Sequence, residues 1–238
     1  MLDKIITSCK YVTENSKSVK INEKKIDECI NQIKEIKPKH WLSFSPYNLL
    51  ELPVDTIINF LLVYEAIDFS FWGNPKWAID TPNGKEDGSI ALLYAILKYV
   101  REKNTTDFSN ITRDEFRKIL KDRELFNIII KYFPNFKDER KYREKTIYFY
   151  KLAQLLTSDI LHVRELKEFI KVDYSNLVGC ADYKIPQVMR GLGILEYGEE
   201  LSETIDNKKQ IEENSEYEVE IRASMLVVID LIKKKLKN

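Results

Sequence analysis

Apolar residues recur every three or four positions along most of this chain, which is the spacing of amphipathic helices. In the segment EKKIDECINQIKEI, for example, Ile26, Ile30 and Ile33 share one helical face. The run DTIINFLLVYEAI is apolar on nearly all sides and therefore predicts a buried helix at the centre of the core. Both patterns are typical of a helical protein.

Further helices are indicated by the same spacing and by local signals at their ends. Thr112 and Glu115 have the spacing of a capping box, so a helix is expected to begin there. Pro134 is expected to end the segment that follows. The remaining predicted helices are SIALLYAILKYVREK, TIYFYKLAQLLTSDILHV and the C-terminal EVEIRASMLVVIDLIKKKLK, whose lysine-rich end suits the helix dipole.

Strand signals are sparse. The short stretches SVKIN and GILEYG can pair locally, but strands and helices do not alternate as a parallel sheet requires, and no internal repeat is present. One hydrophobic core can keep growing to about 250 residues. The predicted fold class is therefore all-α, with one globular domain covering residues 1–238.

The charge balance limits the partners that the protein can attract. Lys plus Arg and Asp plus Glu number 38 each, so no overall field draws the chain to nucleic acid or to an anionic membrane. We expect neither as a partner. A bound phosphate would have to be met by a local group of cations.

Cysteine content and hydropathy favour a cytoplasmic protein. The three cysteines, Cys9, Cys29 and Cys180, form no CxxC pair, which argues against a disulfide framework and a zinc site. The start MLDKIITSCKYV lacks the apolar run of a secretory signal, and no window reaches the roughly 18 apolar residues of a membrane span.

An aromatic cluster, DFSFWGNPKW, occurs where the buried helix must end. It contains Asp68, Phe71 and Trp72, followed by Gly and Pro. Large flat rings beside a turn can stack on a planar heterocycle, and such stacking contributes about 1–3 kcal/mol per base. The commoner use of such a cluster is a corner of the hydrophobic core.

Three further candidates are polar residues in apolar surroundings. Asp182, in CADYKIPQ, is either a helix cap or a catalytic carboxylate. Lys151 lies in an apolar helical stretch, two turns before Asp159, so the two can share a helix face and form a structural pair. Glu218 and Arg222 have the i, i+4 spacing that is equally expected of a surface ion pair.

Metal and triphosphate chemistry have no support in the motifs. His40 and His162 are too far apart in sequence for a local metal motif, and no HExxH, P-loop, GxGxxG or GxSxG pattern occurs. The residues alone indicate a helical protein with an aromatic-lined pocket and one working acid.

The same segments, in this order and at this spacing, resemble the queuosine 5′-phosphate N-glycosylase (queuosine salvage protein) family. The most specific are Phe149-Tyr150-Lys151 followed by AQ, and Ala181-Asp182-Tyr183 followed by Pro186-Gln187. The segments that carry the resemblance are VDTIINFLLVYEAIDFSFWGNPKW, EDGSIALLYAIL, ITRDEFRKIL, FPNFKDE, FYKLAQLL, CADYKIPQVMRGLGILEYGEEL and EVEIRASMLVVIDLI.

Two departures from the family pattern are visible. The connection between ITRDEFRKIL and FPNFKDE is shorter than the helical insertion of many members, which bears on the lid of the pocket. Ser158-Asp159-Ile160 stands where an Ala-Asp pair followed by an aromatic residue is more usual. This difference would affect the details of substrate binding.

The resemblance implies a helical fold similar to that of DNA glycosylases, hydrolysis of the N-glycosidic bond of queuosine 5′-phosphate, and no required cofactor. The products would be queuine and ribose 5-phosphate. Two alternatives stay open, namely a glycosylase acting on bases in nucleic acid and a non-enzymatic queuine-binding module. Neutral charge weighs against the first, because duplex binding depends on phosphate neutralisation.

The implied chemistry suggests roles for the candidate residues. Asp182 is expected to stabilise an oxocarbenium-like sugar or to activate water. Lys151 can supply charge to the leaving base, hold Asp182 ionised or contact the phosphate. The residues expected to bind the substrate are Phe71 and Trp72 by stacking, Asp68 as an acceptor, His40, Tyr150, Asp159 and Tyr183 as pocket residues, and Arg222 at the 5′-phosphate.

Overall fold

The computed structural model describes residues 2–43, 48–68, 78–103, 136–175 and 177–237. These residues are mostly helical, as the apolar spacing predicts. Short 3-10 turns cover Trp41–Ser43 and Leu49–Glu51. The helices are α1 Leu2–Asn15, α2 Glu23–Glu35, α3 Val54–Ile67, α4 Gly88–Lys103, α5 Lys151–Glu168, α6 Lys184–Gly191, α7 Glu199–Asp206 and α8 Glu216–Lys237. Within this described part of the chain, no helix has both the length and the apolar character needed to cross a membrane.

Three antiparallel two-stranded sheets accompany the helices in the described ranges. The strands are β1 Val19–Ile21, β2 Ala78–Thr81, β3 Gly84–Asp87, β4 Glu139–Tyr142, β5 Lys145–Tyr148 and β6 Leu195–Tyr197. The local pairing of SVKIN with GILEYG is confirmed, because Val19 lies opposite Tyr197 and Ile21 opposite Leu195. The fold is thus mostly helical with small sheets.

The two hairpins were not predicted. In β4–β5, Tyr142 pairs with Lys145 around a two-residue turn, and Arg143 adopts a φ of +50°. Such turns usually carry Asn or Gly, because those residues tolerate a positive φ. A turn made of Arg143 and Glu144 therefore gives no hairpin signal in the sequence.

The chain divides into two compact units that interleave along the sequence. The first unit contains Met1–Pro38, Lys137–Gln154 and Ser175–Asn238, and the second contains Lys39–Phe136 and Leu155–Tyr174. The single domain expected over residues 1–238 stays a prediction.

In the first unit, α1 packs along α8. Ile5, Cys9 and Val12 of α1 are completely buried, and so are Ala223 and Leu226 of α8. The α1 residues follow the spacing of one helical face, so the burial of that face stabilises the pair through the hydrophobic effect. Burial also raises the pKa of the Cys9 thiol to about 12, which keeps this cysteine protonated and unreactive.

A buried carboxylate connects α8 to the chain between α1 and β1. Glu220 is 1% exposed and accepts hydrogen bonds from the backbone N–H of Ser18 at 2.8 Å and of Lys17 at 3.2 Å. The Tyr142 hydroxyl donates to the same carboxylate at 2.7 Å. Because a buried charge must be hydrogen-bonded, these donors stabilise the turn after α1 against α8.

In the second unit, α3 is the buried helix that its all-round apolar sequence predicts. Ile57, Phe60 and Leu61 are at most 1% exposed. Ala91 and Leu93 of α4 are buried to a similar degree, and α3 and α4 are in contact. The prediction that this segment occupies the centre of a core is confirmed.

Glu220→Gln is expected to lower the free energy of unfolding by about 1–3 kcal/mol, because an amide NH₂ would face donors and leave some of them unpaired. Urea unfolding monitored by circular dichroism measures the change. Glu216→Gln, at the exposed first residue of the same helix, is the matched control and should have little effect. Equal stability losses in the two variants would contradict the role assigned to Glu220.

Candidate active site

An ion pair between Lys151 and Asp182 is the central feature of the first unit. Lys151 is the first residue of α5 and is only 6% exposed. Its Nζ lies 3.1 Å from Oδ1 of Asp182, whose side chain is 26% exposed. A buried ammonium requires an anion nearby. The carboxylate, by contrast, retains a surface that a substrate or a water molecule can reach.

The start of α5 is fixed by Asp138. The backbone N–H groups of Phe149 and Tyr150 donate to the Asp138 carbonyl at 2.9 and 3.2 Å. The Lys151 N–H donates to Asp138 Oδ2 at 3.2 Å. A carboxylate at a helix N-terminus satisfies an otherwise unpaired donor and interacts favourably with the helix dipole. Asp138 therefore determines where the helix that carries Lys151 begins.

Tyr150 lies in an unusual backbone conformation immediately before Lys151. Its φ is +51°, which is uncommon for a bulky residue and is often found at functional sites. Its hydroxyl donates to Glu139 Oε1 at 2.5 Å. Burial, followed by the hydrogen bond to Glu139, raises the pKa of Tyr150 above its ordinary value, so the phenol stays protonated.

The segment before Asp182 is held alongside the first turn of α5. Gln154 is buried, and its Oε1 accepts from the backbone N–H groups of Val178 at 2.8 Å and Gly179 at 3.2 Å. The Cys180 thiol approaches the Lys151 carbonyl at 3.7 Å. These contacts bring Asp182 to Lys151 from a position 31 residues later in the chain.

Asp182 lies next to the start of α6 and is therefore a candidate cap for that helix. Its Oδ2 is 3.5 Å from the Lys184 N–H, at the limit of a hydrogen bond. The residue at the N-cap position is Tyr183, which makes no side-chain capping bond. The shorter contact of Asp182 is thus the ion pair with Lys151, and its capping contribution is weak.

Arg222 lies in the same unit and is 7% exposed. Its Nη1 donates to Asp138 Oδ1 and to Glu218 Oε1, both at 3.0 Å, and its Nη2 donates to Asp138 Oδ2. Nε donates to the Ala181 carbonyl at 3.3 Å, and the guanidinium lies over the Phe149 ring. The expected Glu218–Arg222 pair is therefore present, with its arginine buried and not at the surface.

The two carboxylates keep this guanidinium charged. Burial lowers the pKa of Arg222, but the ion pairs with Asp138 and Glu218 raise it by more, so the pKa lies above its ordinary value. Asp138 was not singled out from the sequence. It stands in the charged run KDERKYREK, which looks like a solvent-exposed segment, yet it is only 4% exposed.

The second unit contains another buried acid, Asp159 on α5. It is 1% exposed, and its Oδ2 accepts from Trp41 Nε1 at 2.8 Å. His40 Nε2 lies 3.0 Å from Oδ1, although Oδ1 receives no hydrogen bond of good geometry from the described residues. Trp41 and His40 therefore share one carboxylate.

Aromatic rings surround this acid. His40 stacks on His162 with 3.8 Å between ring centroids, and Trp41 stacks on Tyr64 at 5.5 Å. Burial, and then the neighbouring His40, lowers the pKa of His162. Trp41, Tyr64 and His162 were not predicted as site residues, although the pairing of His40 with Trp41 in the sequence is a signal that could have identified Trp41.

Asp68 ends α3 in this unit. Its backbone N–H donates to the Tyr64 carbonyl at 3.0 Å, and its side chain is partly buried. Burial raises the pKa of Tyr64, and the charges of Asp68 and Glu65 add to that effect. The carboxylates of Glu65, Asp68 and Asp159 therefore act on the Tyr64 hydroxyl.

The predicted site residues therefore divide between the units. Phe71 and Trp72 lie outside the described residues. Within the described ranges, no group of His, Cys, Asp and Glu side chains has an arrangement suited to a metal ion. The first unit contains Lys151, Asp182, Tyr150, Tyr183 and Arg222, and the second contains His40, Asp68 and Asp159.

Comparisons with known proteins identify relatives of the chain. Residues 121–238 match the family model described as queuosine salvage protein. A Sphaerobacter thermophilus protein named queuosine 5′-phosphate N-glycosylase/hydrolase is 28% identical over 285 residues, covering 98% of this chain and 86% of that protein. A Dictyostelium discoideum protein of the same name is 27% identical, covering 92% of this chain and 83% of that protein. A Mus musculus protein of the same name is 33% identical, covering 58% of this chain and 40% of that protein.

These relatives share the name of an N-glycosylase/hydrolase. The chain is similar to these proteins over nearly its whole length, and the predicted resemblance is confirmed. The alignment with the Sphaerobacter protein extends over 285 residues, whereas this chain has 238. That relative therefore carries insertions that this chain lacks.

Gly179→Ala is expected to destabilise the first unit by about 1–3 kcal/mol, because Gly179 has a φ of +154° that other residues rarely adopt. The added Cβ would also lie 3.0 Å from Cδ1 of Ile229. Urea unfolding measures the loss. Gly191→Ala, at the end of α6 with nothing within 4 Å of the added carbon, is the matched control and should be neutral or stabilising. A Gly179 variant as stable as this control would contradict the prediction.

Proposed function

We propose that this chain is a hydrolase that cleaves the N-glycosidic bond of queuosine 5′-phosphate and releases queuine and ribose 5-phosphate. The names of its relatives support the reaction class and the substrate. The observation that carries the proposal is the ion pair between buried Lys151 and partly exposed Asp182. It supplies the carboxylate that the reaction needs.

Hydrolysis requires stabilisation of a cationic sugar. As the C–N bond breaks, its electron pair leaves with the base, and the anomeric carbon acquires positive charge before water adds to it. The water loses a proton and the base gains one, so the overall reaction is balanced. Asp182 stabilises the oxocarbenium-like transition state or accepts the proton of the water.

Lys151 had three possible roles, and the geometry favours one of them. With its Nζ 3.1 Å from Oδ1 of Asp182 and little of its side chain exposed, Lys151 forms an ion pair with that carboxylate and is placed to act on it electrostatically. An ionised Asp182 is the form that stabilises a cationic sugar. We assign Lys151 this electrostatic role in preference to direct phosphate contact.

The base places a second demand on the enzyme. A 7-deazaguanine has carbon where a purine has N7, so it cannot be protonated there as it leaves. Negative charge on the leaving base then depends on donors near the six-membered ring. Base stacking on Phe71 and Trp72 and polar contacts from His40, Tyr150, Asp159, Tyr183 and Asp68 stay predictions.

Other parts of the sequence-based interpretation also stay proposals. These are a fold similar to that of DNA glycosylases, a single domain, a cytoplasmic location and the absence of nucleic-acid and membrane partners. The non-enzymatic alternative expects a stacking pocket without a competent carboxylate. The reachable face of Asp182 supports the enzyme instead.

Asp182→Asn is expected to abolish most glycosidic cleavage while nucleotide binding survives, because the near-isosteric amide lacks the negative charge that stabilises the transition state. Chromatographic detection of queuine measures cleavage, and calorimetry measures binding. Asp206→Asn removes an exposed carboxylate paired with Arg190 in the same unit and is the matched control. Turnover by the Asp182 variant at the rate of the parent would remove Asp182 from the mechanism.

Queuosine 5′-phosphate is expected to have a larger kcat/KM than queuosine. Binding energy from a group remote from the reacting bond can position the ribose and so increase the rate of the chemical step. Parallel assays of the two substrates with the parent enzyme measure both constants. Equal specificity constants would defeat the proposed preference for the 5′-phosphate.

A further inference from the structure

We propose that Asp138 and Arg222 are positioning residues that hold Lys151 and Asp182 in their catalytic arrangement. This inference rests on the proposed function. It assigns a role to Asp138, which the sequence did not single out, and gives Arg222 a role other than contact with the 5′-phosphate.

Asp138 controls the lysine side of the ion pair. Its carboxylate accepts the N–H of Lys151, and its carbonyl accepts the two preceding N–H groups, those of Phe149 and Tyr150. These three bonds fix the backbone from which the Lys151 side chain extends. A displacement of Asp138 would therefore move the start of α5 and the ammonium with it.

Arg222 controls the aspartate side. Its Nε donates to the carbonyl of Ala181, the residue directly before Asp182. The same guanidinium binds both carboxylate oxygens of Asp138 in a two-pronged contact, which is the geometry that arginine provides and lysine does not. One buried ion pair thus connects the backbone on both sides of the Lys151–Asp182 contact.

The surroundings of Arg222 are poorly suited to a phosphate. Of the five N–H donors of a guanidinium, Nε and both hydrogens of Nη1 are used by Ala181, Asp138 and Glu218, and Nη2 donates to Asp138. Two carboxylates also flank the group, and a second guanidinium, that of Arg140, lies 3.3 Å from Asp138 and 3.5 Å from Glu218, so the charges of this cluster already compensate one another without an added anion. A positioning role agrees with this geometry better than the phosphate contact predicted from sequence.

The test compares Asp138→Asn and Arg222→Lys on queuosine 5′-phosphate and on queuosine. Misplacing reacting groups by a fraction of an ångström to one ångström reduces rates by about 10- to 100-fold. We expect a loss of kcat of this size for both substrates, with KM and the ratio of the two specificity constants unchanged. A phosphate contact predicts instead that Arg222→Lys lowers this ratio and Asp138→Asn does not.

A double variant of Asp138 and Asp182 distinguishes a positioning role of Asp138 from an independent contribution of Asp138 to the rate. Adding Asp138→Asn to the Asp182→Asn variant should cause no further loss in single-turnover rate, because Asp138 acts through the group already removed. A further loss as large as that in the parent would overturn the proposal. So would a lowered ratio of specificity constants in the Arg222 variant.

Folding controls make each outcome decisive. Asp206→Asn, which disrupts an exposed arginine–aspartate pair in the same unit, should keep parental kcat. Arg222→Lys retains the buried positive charge and should stay folded by circular dichroism even where Asp138→Asn does not. If both variants unfold, the Asp138–Arg222 ion pair contributes to stability alone and the positioning role is rejected. A parent that releases no queuine would defeat the proposed function itself, whereas an active parent with unaffected variants would defeat only this inference.

Discussion

The structure of the first unit depends on the need to pair a lysine ammonium in a place that water hardly reaches. Lys151 opens α5 with 6% of its surface exposed, and an unpaired charge there would be strongly unfavourable. Asp182 meets this requirement at 3.1 Å. Asp138, Arg222 and Gln154 hold the backbone around the pair through hydrogen bonds.

This arrangement links stability with the proposed chemistry. Removing one partner of an ion pair leaves the other charge unpaired, and the 26% exposure of the Asp182 side chain moderates that cost here. In the proposed reaction the carboxylate of the same pair acts on the sugar. The positive φ of Tyr150 also places a strained backbone conformation directly before Lys151.

The sequence predicted features that depend on local pattern. The buried helix α3, the pairing of SVKIN with GILEYG and the spacing of Glu218 and Arg222 were all accessible in this way. Lys151 and Asp182 stood out as polar residues in apolar surroundings, and the family resemblance implied their catalytic roles. The local pattern could not identify Asp138 as a buried residue, because its burial depends on Arg222, 84 positions later. The contact of Trp41 with Asp159, 118 positions apart, was hidden for the same reason.

The most direct test of the account is incubation of the protein with queuosine 5′-phosphate, followed by chromatographic separation of the nucleotide from the free base. The account predicts catalytic release of queuine together with an equal amount of ribose 5-phosphate, over many turnovers. Nucleotide that binds in stoichiometric amount and is recovered intact would contradict it.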